Sequence, residues 1–157
     1  MREFDPESAF GYIVNRVAAL VREQLEARTR PFGLTAPQAA ILMGCYAGVA
    51  STPAQFRRVH WVDPAAITRL LDQLERKGHI RRTPNPNDRR SVLIELTESG
   101  AEIAPKVTRA AYEMNERLAG LLSSEDFSVT MESLRRILHY SGAGLRPGGM
   151  AGGAEDA

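Results

Sequence analysis

Only one cysteine, Cys45, occurs in the 157 residues, which excludes an intrachain disulfide framework and suits a reducing compartment, so the cytoplasm is the expected location. No apolar run approaches the ~18 residues that cross a bilayer. The opening Met1-Arg2-Glu3-Phe4-Asp5-Pro6 has no apolar stretch of the secretory kind. His60, His79 and His139 are scattered, with no close cysteine or histidine companion, so no metal site is expected. There is no glycine-rich phosphate loop, nucleophile elbow or paired-histidine metalloprotease motif, which argues against an enzyme and against a bound cofactor. Nor is there an internal repeat.

What is present has the balance of a soluble globular protein, 43% hydrophobic and 25% charged, with room for one domain over residues 1–140. From Ser141 the chain turns to Gly, Ala and Pro, and 141–157 reads as a disordered tail. A net charge of +1 hides an uneven distribution. Residues 52–96 hold nine Lys/Arg against five Asp/Glu, while the rest of the chain is net acidic. A basic middle between acidic ends suits a local polyanion-binding surface, with a merely solvated charged face as the alternative.

Cap-then-proline signals recur along the chain. Asp5-Pro6 opens a long first helix running to about Thr29, with Phe10, Ile13, Val14, Val17, Val21 and Leu25 at helical spacing. Pro31-Phe32-Gly33 breaks it. Thr35 caps a second helix (36–48), Thr52-Pro53 a short third (52–59) and Asp63-Pro64 a fourth (63–77). In the fourth, Ile67, Leu70, Leu71 and Leu74 form one narrow apolar stripe, and Gly78 stands where a left-handed cap is wanted. His79 to Thr83 and Ser91 to Leu96 are strand-compatible, and Pro84-Asn-Pro-Asn-Asp-Arg-Arg90 between them is turn chemistry with a basic tip. Thr97 and Ser123/Ser124 cap a fifth and a sixth helix, both amphipathic.

Helix, helix, turn, helix, hairpin is the order of a winged helix-turn-helix, here within a mainly α chain. The physical chemistry of the segment favours DNA. Ala65 and Ala66 are small enough to let the fourth helix sit deep in a major groove. Thr68 offers a hydroxyl and a methyl, Arg69 a fork for guanine or phosphate, and Gln73 continues the same face. The helix starts at Thr35, Thr52 and Asp63 present backbone N–H groups to phosphates. Arg81 and Arg82 stand near the hairpin base, and Asn87, Asp88, Arg89 and Arg90 at its tip, where arginine suits a narrow minor groove. Asp72 and Glu75 read as solvated or locally paired rather than DNA-facing. A winged-helix module that binds a protein partner is the alternative of a different class.

The runs Asp63-Pro-Ala-Ala-Ile-Thr-Arg-Leu-Leu-Asp-Gln-Leu-Glu-Arg-Lys-Gly78, Pro84-Asn-Pro-Asn-Asp-Arg-Arg90 and Val92-Leu-Ile-Glu-Leu-Thr-Glu-Ser-Gly100 resemble the MarR family of transcriptional regulators. The likeness covers about residues 8–140 in organisation and is specific over 62–100. It implies a homodimer whose first, fifth and sixth helices interlock (about 5–30 and 98–140), with 35–96 as the DNA-binding lobe on a pseudo-palindromic operator of double-stranded DNA. It also implies that Arg90 is the minor-groove arginine, held by Asp88 through a charge-assisted hydrogen bond. A repressor relieved by a small aromatic or phenolic anion is the expected function. Tyr12, Arg16, Met43, Tyr46, His60 and Trp61 are the candidate lining, with Arg16 as carboxylate partner. His60-Trp61 departs from the usual family pattern; the alternative is a hydrogen-bonded, partly buried His60 and a Trp61 that covers the core edge. Cys45 as an oxidation sensor is a further alternative, set against a buried structural thiol on the apolar side of the second helix.

Overall fold

A computed structural model of the chain describes residues 5–60 and 64–140, with the side chains of residues 59 and 60 left out of the description. Six helices and one hairpin follow in order: α1 Phe10–Thr29, α2 Ala36–Tyr46, α3 Pro53–His60, α4 Pro64–Arg76, β1 Ile80–Pro84, β2 Val92–Leu96, α5 Glu98–Ala119 and α6 Ser124–Tyr140. The described residues form two units, divided between Asn115 and Glu116.

Local chemistry sets the boundaries. Asp5 does cap, but what it caps is a single 3-10 turn, Pro6–Ser8, and α1 begins only after the extended Ala9. A cap and a proline favour any first turn, and nothing in them fixes how many turns follow. Pro31 sits in a second 3-10 turn, Arg30–Phe32, which Gly33 ends at φ 68°, a left-handed backbone that glycine adopts without a Cβ penalty. Gly78 does the same at φ 74° after α4, where its N–H donates to the Glu75 carbonyl and the His79 N–H to that of Leu74. Thr97 caps α5 through Gly100 N–H, and Ser123 caps α6 through Asp126 N–H, both at 3.1 Å.

In the first unit one apolar core gathers Ile41 and Leu42 of α2, Phe56 of α3, Ile67, Leu71 and Leu74 of α4, Ile80 of β1, Ile94 of β2 and Val107 of α5. The core therefore holds α4 by the stripe legible in its sequence and leaves the opposite face to solvent. The hairpin is antiparallel, with Ile80 opposite Leu96, Arg81 opposite Glu95 and Pro84 opposite Val92. That register turns Ile80 and Ile94 inward, and it places Pro84 at the strand end, so the turn proper begins at Asn85. Ile94 N–H also donates to the Ser51 carbonyl at 2.8 Å, tying β2 to the loop before α3.

Candidate nucleic-acid interface

The solvent face of α4 carries Ala65, Thr68, Arg69, Gln73 and Arg76, all exposed, with Ala66 half-buried beside them. Thr68 folds its hydroxyl back onto the Pro64 carbonyl at 3.1 Å, which turns its methyl and a hydroxyl lone pair outward. Arg69 Nε donates to the Ala65 carbonyl at 3.3 Å, fixing the side-chain stem while the guanidinium end stays available. Gln73 has its carbonyl oxygen engaged: Gln38 Nε2 donates to it at 2.8 Å from the first turn of α2. Asp63 and the start of its cap lie outside the described residues.

The hairpin divides its arginines. Arg81 pairs with Glu95 directly across the ladder at 2.8 Å, an exposed pair of small energetic weight. Arg82 turns back to α4, its two Nη atoms reaching Asp72 at 2.6 Å and Glu75 at 2.7 Å, while its backbone N–H donates to Glu75 at 3.3 Å. It therefore fastens the hairpin to the reading helix rather than offering charge to a phosphate, and it gives Asp72 and Glu75 the local partner foreseen for them. At the tip Arg89 and Arg90 are exposed and have no carboxylate partner among the described residues. Two Asx turns shape that tip, with Asn87 N–H donating to Asn85 Oδ1 and Arg90 N–H to Asp88 Oδ1, each at 3.0 Å. The brace expected from Asp88 thus acts on the Arg90 backbone, and the guanidinium is left to extend.

The helix starts behave differently from the sequence expectation. At α2 the Ala36 N–H donates to Glu26 of α1 at 2.6 Å, Pro37 has none, Gln38 N–H is taken by the Thr35 hydroxyl and Ala39 N–H by the Thr35 carbonyl. No donor in that turn remains for a phosphate, because the capping box and a carboxylate ten residues upstream have used them. At α3 a similar box forms: Gln55 Oε1 accepts from Ser51 and Thr52 N–H, and the Thr52 hydroxyl accepts from Gln55 N–H. Thr35 is therefore placed to offer its own side chain at most, while at α3 the box occupies the Thr52 and Gln55 N–H groups.

Between α3, α4 and β2 lies a cavity of ≈ 310 Å³ whose lining includes Pro53, Arg57, Thr68 and Arg90. It brings the wing arginine and the α4 threonine to one concave surface. Arg57 joins them, a residue the sequence showed only as part of the basic count. The adjacent Arg57-Arg58 pair inside the basic segment was the available signal.

The proposed small-molecule lining is dispersed. Tyr12, Arg16 and Tyr46 are exposed, and none lines the cavities described in this section. Met43 lines an apolar cavity of ≈ 360 Å³ between α2 and α5 together with Val49, Thr108, Tyr112 and Asn115. A second apolar cavity of ≈ 300 Å³ lies among α1, α2 and α4, with Arg22, not Arg16, as its cation. The His60 side chain and Trp61 lie outside the described residues. Burial pushes the Cys45 thiol up to about 11, so it stays protonated and weakly nucleophilic near neutrality.

A three-helix lobe with a basic wing, an exposed polar helix face and two exposed wing-tip arginines defines a winged helix-turn-helix protein. The MarR family model matches residues 34–92. The multiple antibiotic resistance protein MarR of Salmonella typhimurium is 36% identical over 109 residues, which cover 69% of this chain and 76% of that protein. Its counterpart in Escherichia coli K12 is 33% identical over the same shares. A crystal structure of a mutant MarR from E. coli complexed with operator DNA superposes with a TM-score of 0.77 at 29% identity, covering 88% of this chain and 99% of that one. The chain belongs to the MarR family, and is a transcriptional regulator that binds DNA.

Proposed function

We propose that the chain is a homodimeric repressor that reads a pseudo-palindromic operator through the α4 face and the wing tip. One observation carries this: Thr68 and Arg69 of α4 and Arg89 and Arg90 of the wing stand exposed, whereas Arg81 and Arg82 are paired with protein carboxylates. Charge that the fold does not use itself is left where a duplex would lie. Thr68 and Arg69 enter the major groove, and Arg90 the minor groove, with Arg57 at the phosphates between. A dimer sets two α4 helices about one helical turn, ~10 bp, apart.

Exposed apolar side chains support the dimer. Phe10, Ile13, Val14, Val17 and Leu20 of α1 lie open, as do Phe127, Val129, Ile137 and Leu138 of α6, an amount of apolar surface that a monomer would rarely leave in water. The regulator acts in the cytoplasm, in keeping with its single cysteine. A small aromatic anion relieves repression by favouring a dimer in which the two α4 helices no longer match the groove spacing. The Met43–Tyr112 cavity and the Arg22 cavity are its two candidate sites.

The test is a gel shift against the DNA upstream of the protein's own coding sequence. A complex that survives nonspecific competitor supports the assignment, and its absence even at low salt would defeat it. A panel of aromatic acids added to the complex then tests the effector: release by any of them supports that part, and indifference to all removes it.

A further inference from the structure

The buried amide of Gln38 fixes which way the exposed amide of Gln73 points. Gln38 is 3% exposed. Its Oε1 accepts from Thr35 N–H at 3.2 Å and from Lys77 Nζ at 2.8 Å. A backbone N–H and an ammonium can only donate, so the atom they meet has to be the oxygen of the amide. Gln38 Nε2 is then directed at Gln73, 2.8 Å away, and because it donates, the atom it meets on Gln73 has to be the oxygen as well. The order of donors and acceptors runs in one direction from Lys77 and Thr35 through Gln38 to Gln73. Lys77 is itself held by the Gly33 carbonyl, so the far end of the chain is anchored to the turn after α1.

The consequence falls on Gln73. A free glutamine recognises adenine with both ends of its amide, oxygen to N6 and nitrogen to N7. Here the oxygen is turned inward onto the buried Gln38, and the NH2 end, which points the other way, has no partner among the described residues. Gln73 lies one turn beyond Arg69 on the solvent face of α4. We propose that Gln38 is a specificity-setting positioning residue: by holding the Gln73 oxygen inward it presents the NH2 end to the groove, which favours guanine, with two major-groove acceptors, and disfavours cytosine, which offers only a donor. The inference rests on α4 lying in the major groove as described above.

Gln38→Glu tests this by reversing the polarity. A carboxylate still accepts from Thr35 N–H and Lys77 but cannot donate, so Gln73 has to turn its NH2 inward and its oxygen out. The experiment measures affinity for the chain's own operator with each base pair replaced in turn, at fixed salt, for the unmodified protein, Gln38→Glu and Gln73→Ala. At one position per half-site the unmodified protein should prefer guanine by about fivefold or more. Gln38→Glu should shift that preference to cytosine or adenine, and Gln73→Ala should flatten it, with other positions unchanged. A uniform loss of affinity in Gln38→Glu, or an unaltered profile in Gln73→Ala, would overturn the proposal. If the unmodified protein shows no sequence preference at all, the groove assignment itself fails, before any variant is compared.

Discussion

Replacing Arg82 by alanine should loosen the wing from α4 at a cost that the geometry bounds. Two charged hydrogen bonds are lost, at 2.6 Å to Asp72 and 2.7 Å to Glu75, while the backbone donor to Glu75 survives the change to alanine. A hydrogen bond to a charged group contributes roughly 1.5–3 kcal/mol where water is excluded. Here the Arg82 side chain is 29% exposed, and those of Asp72 and Glu75 are 47% and 39% exposed, so both carboxylates rehydrate when the arginine goes. That places the loss above an exposed pair and below a buried one, at about 2 kcal/mol in total. For a chain of this size such a loss lowers Tm by about 4–8 °C. Arg82→Lys should recover less than half, because a point charge cannot fork to two carboxylates. Thermal unfolding by circular dichroism, at one protomer concentration and with the Asp72→Asn and Glu75→Gln partners in a double-mutant cycle, measures it. If Arg82→Ala changed stability by less than 0.5 kcal/mol (about the scatter for surface substitutions), with no coupling to either carboxylate, the clamp would be refuted.

Three further outcomes follow from particular contacts. Gly100→Ala should destabilise by about 2–3 kcal/mol or more, since its Cβ would run into the His79 carbonyl, and urea unfolding would detect it. Cys45 should react slowly with iodoacetamide at pH 7.5 in the folded protein and rapidly once unfolded, and peroxide should leave DNA binding unchanged. Burial, and secondarily the charge of Lys77, hold His79 below its usual 6.5. The unfolded chain therefore takes up that proton first, so stability should be full above about pH 6.5 and fall as the pH drops towards the folded value. His79→Gln should lessen that decline in a pH series of melts.

Much of the fold was legible because it is governed by neighbours in sequence. The stripe of Ile67, Leu71 and Leu74 did bury, Gly78 did take the left-handed cap, and the alternation around Ile94 did give a strand with that residue inward. Misreadings came from partners distant along the chain. Nothing near Thr35 tells that Glu26 reaches over to Ala36, so the helix start looked open to a phosphate when its donors were already used. Arg82 and Arg81 look alike in sequence, yet the strand's alternation turns one to Asp72 and Glu75 and the other to Glu95. Asp88 was expected to hold Arg90 by a charge-assisted hydrogen bond, but an Asx turn two residues long meets the backbone N–H before it can reach a guanidinium. The effector lining was least legible, because a cavity depends on how helices cross, and helical periodicity does not fix that.

The most direct test of DNA reading by α4 and the wing is the salt dependence of operator affinity for the unmodified protein and Arg90→Ala, followed by fluorescence anisotropy. The unmodified protein should bind its operator far more tightly than random duplex, and Arg90→Ala should bind more weakly with a log–log salt slope shallower by roughly one unit. Equal affinity for operator and random DNA, or an Arg90→Ala curve superposing on the unmodified one, would contradict the account.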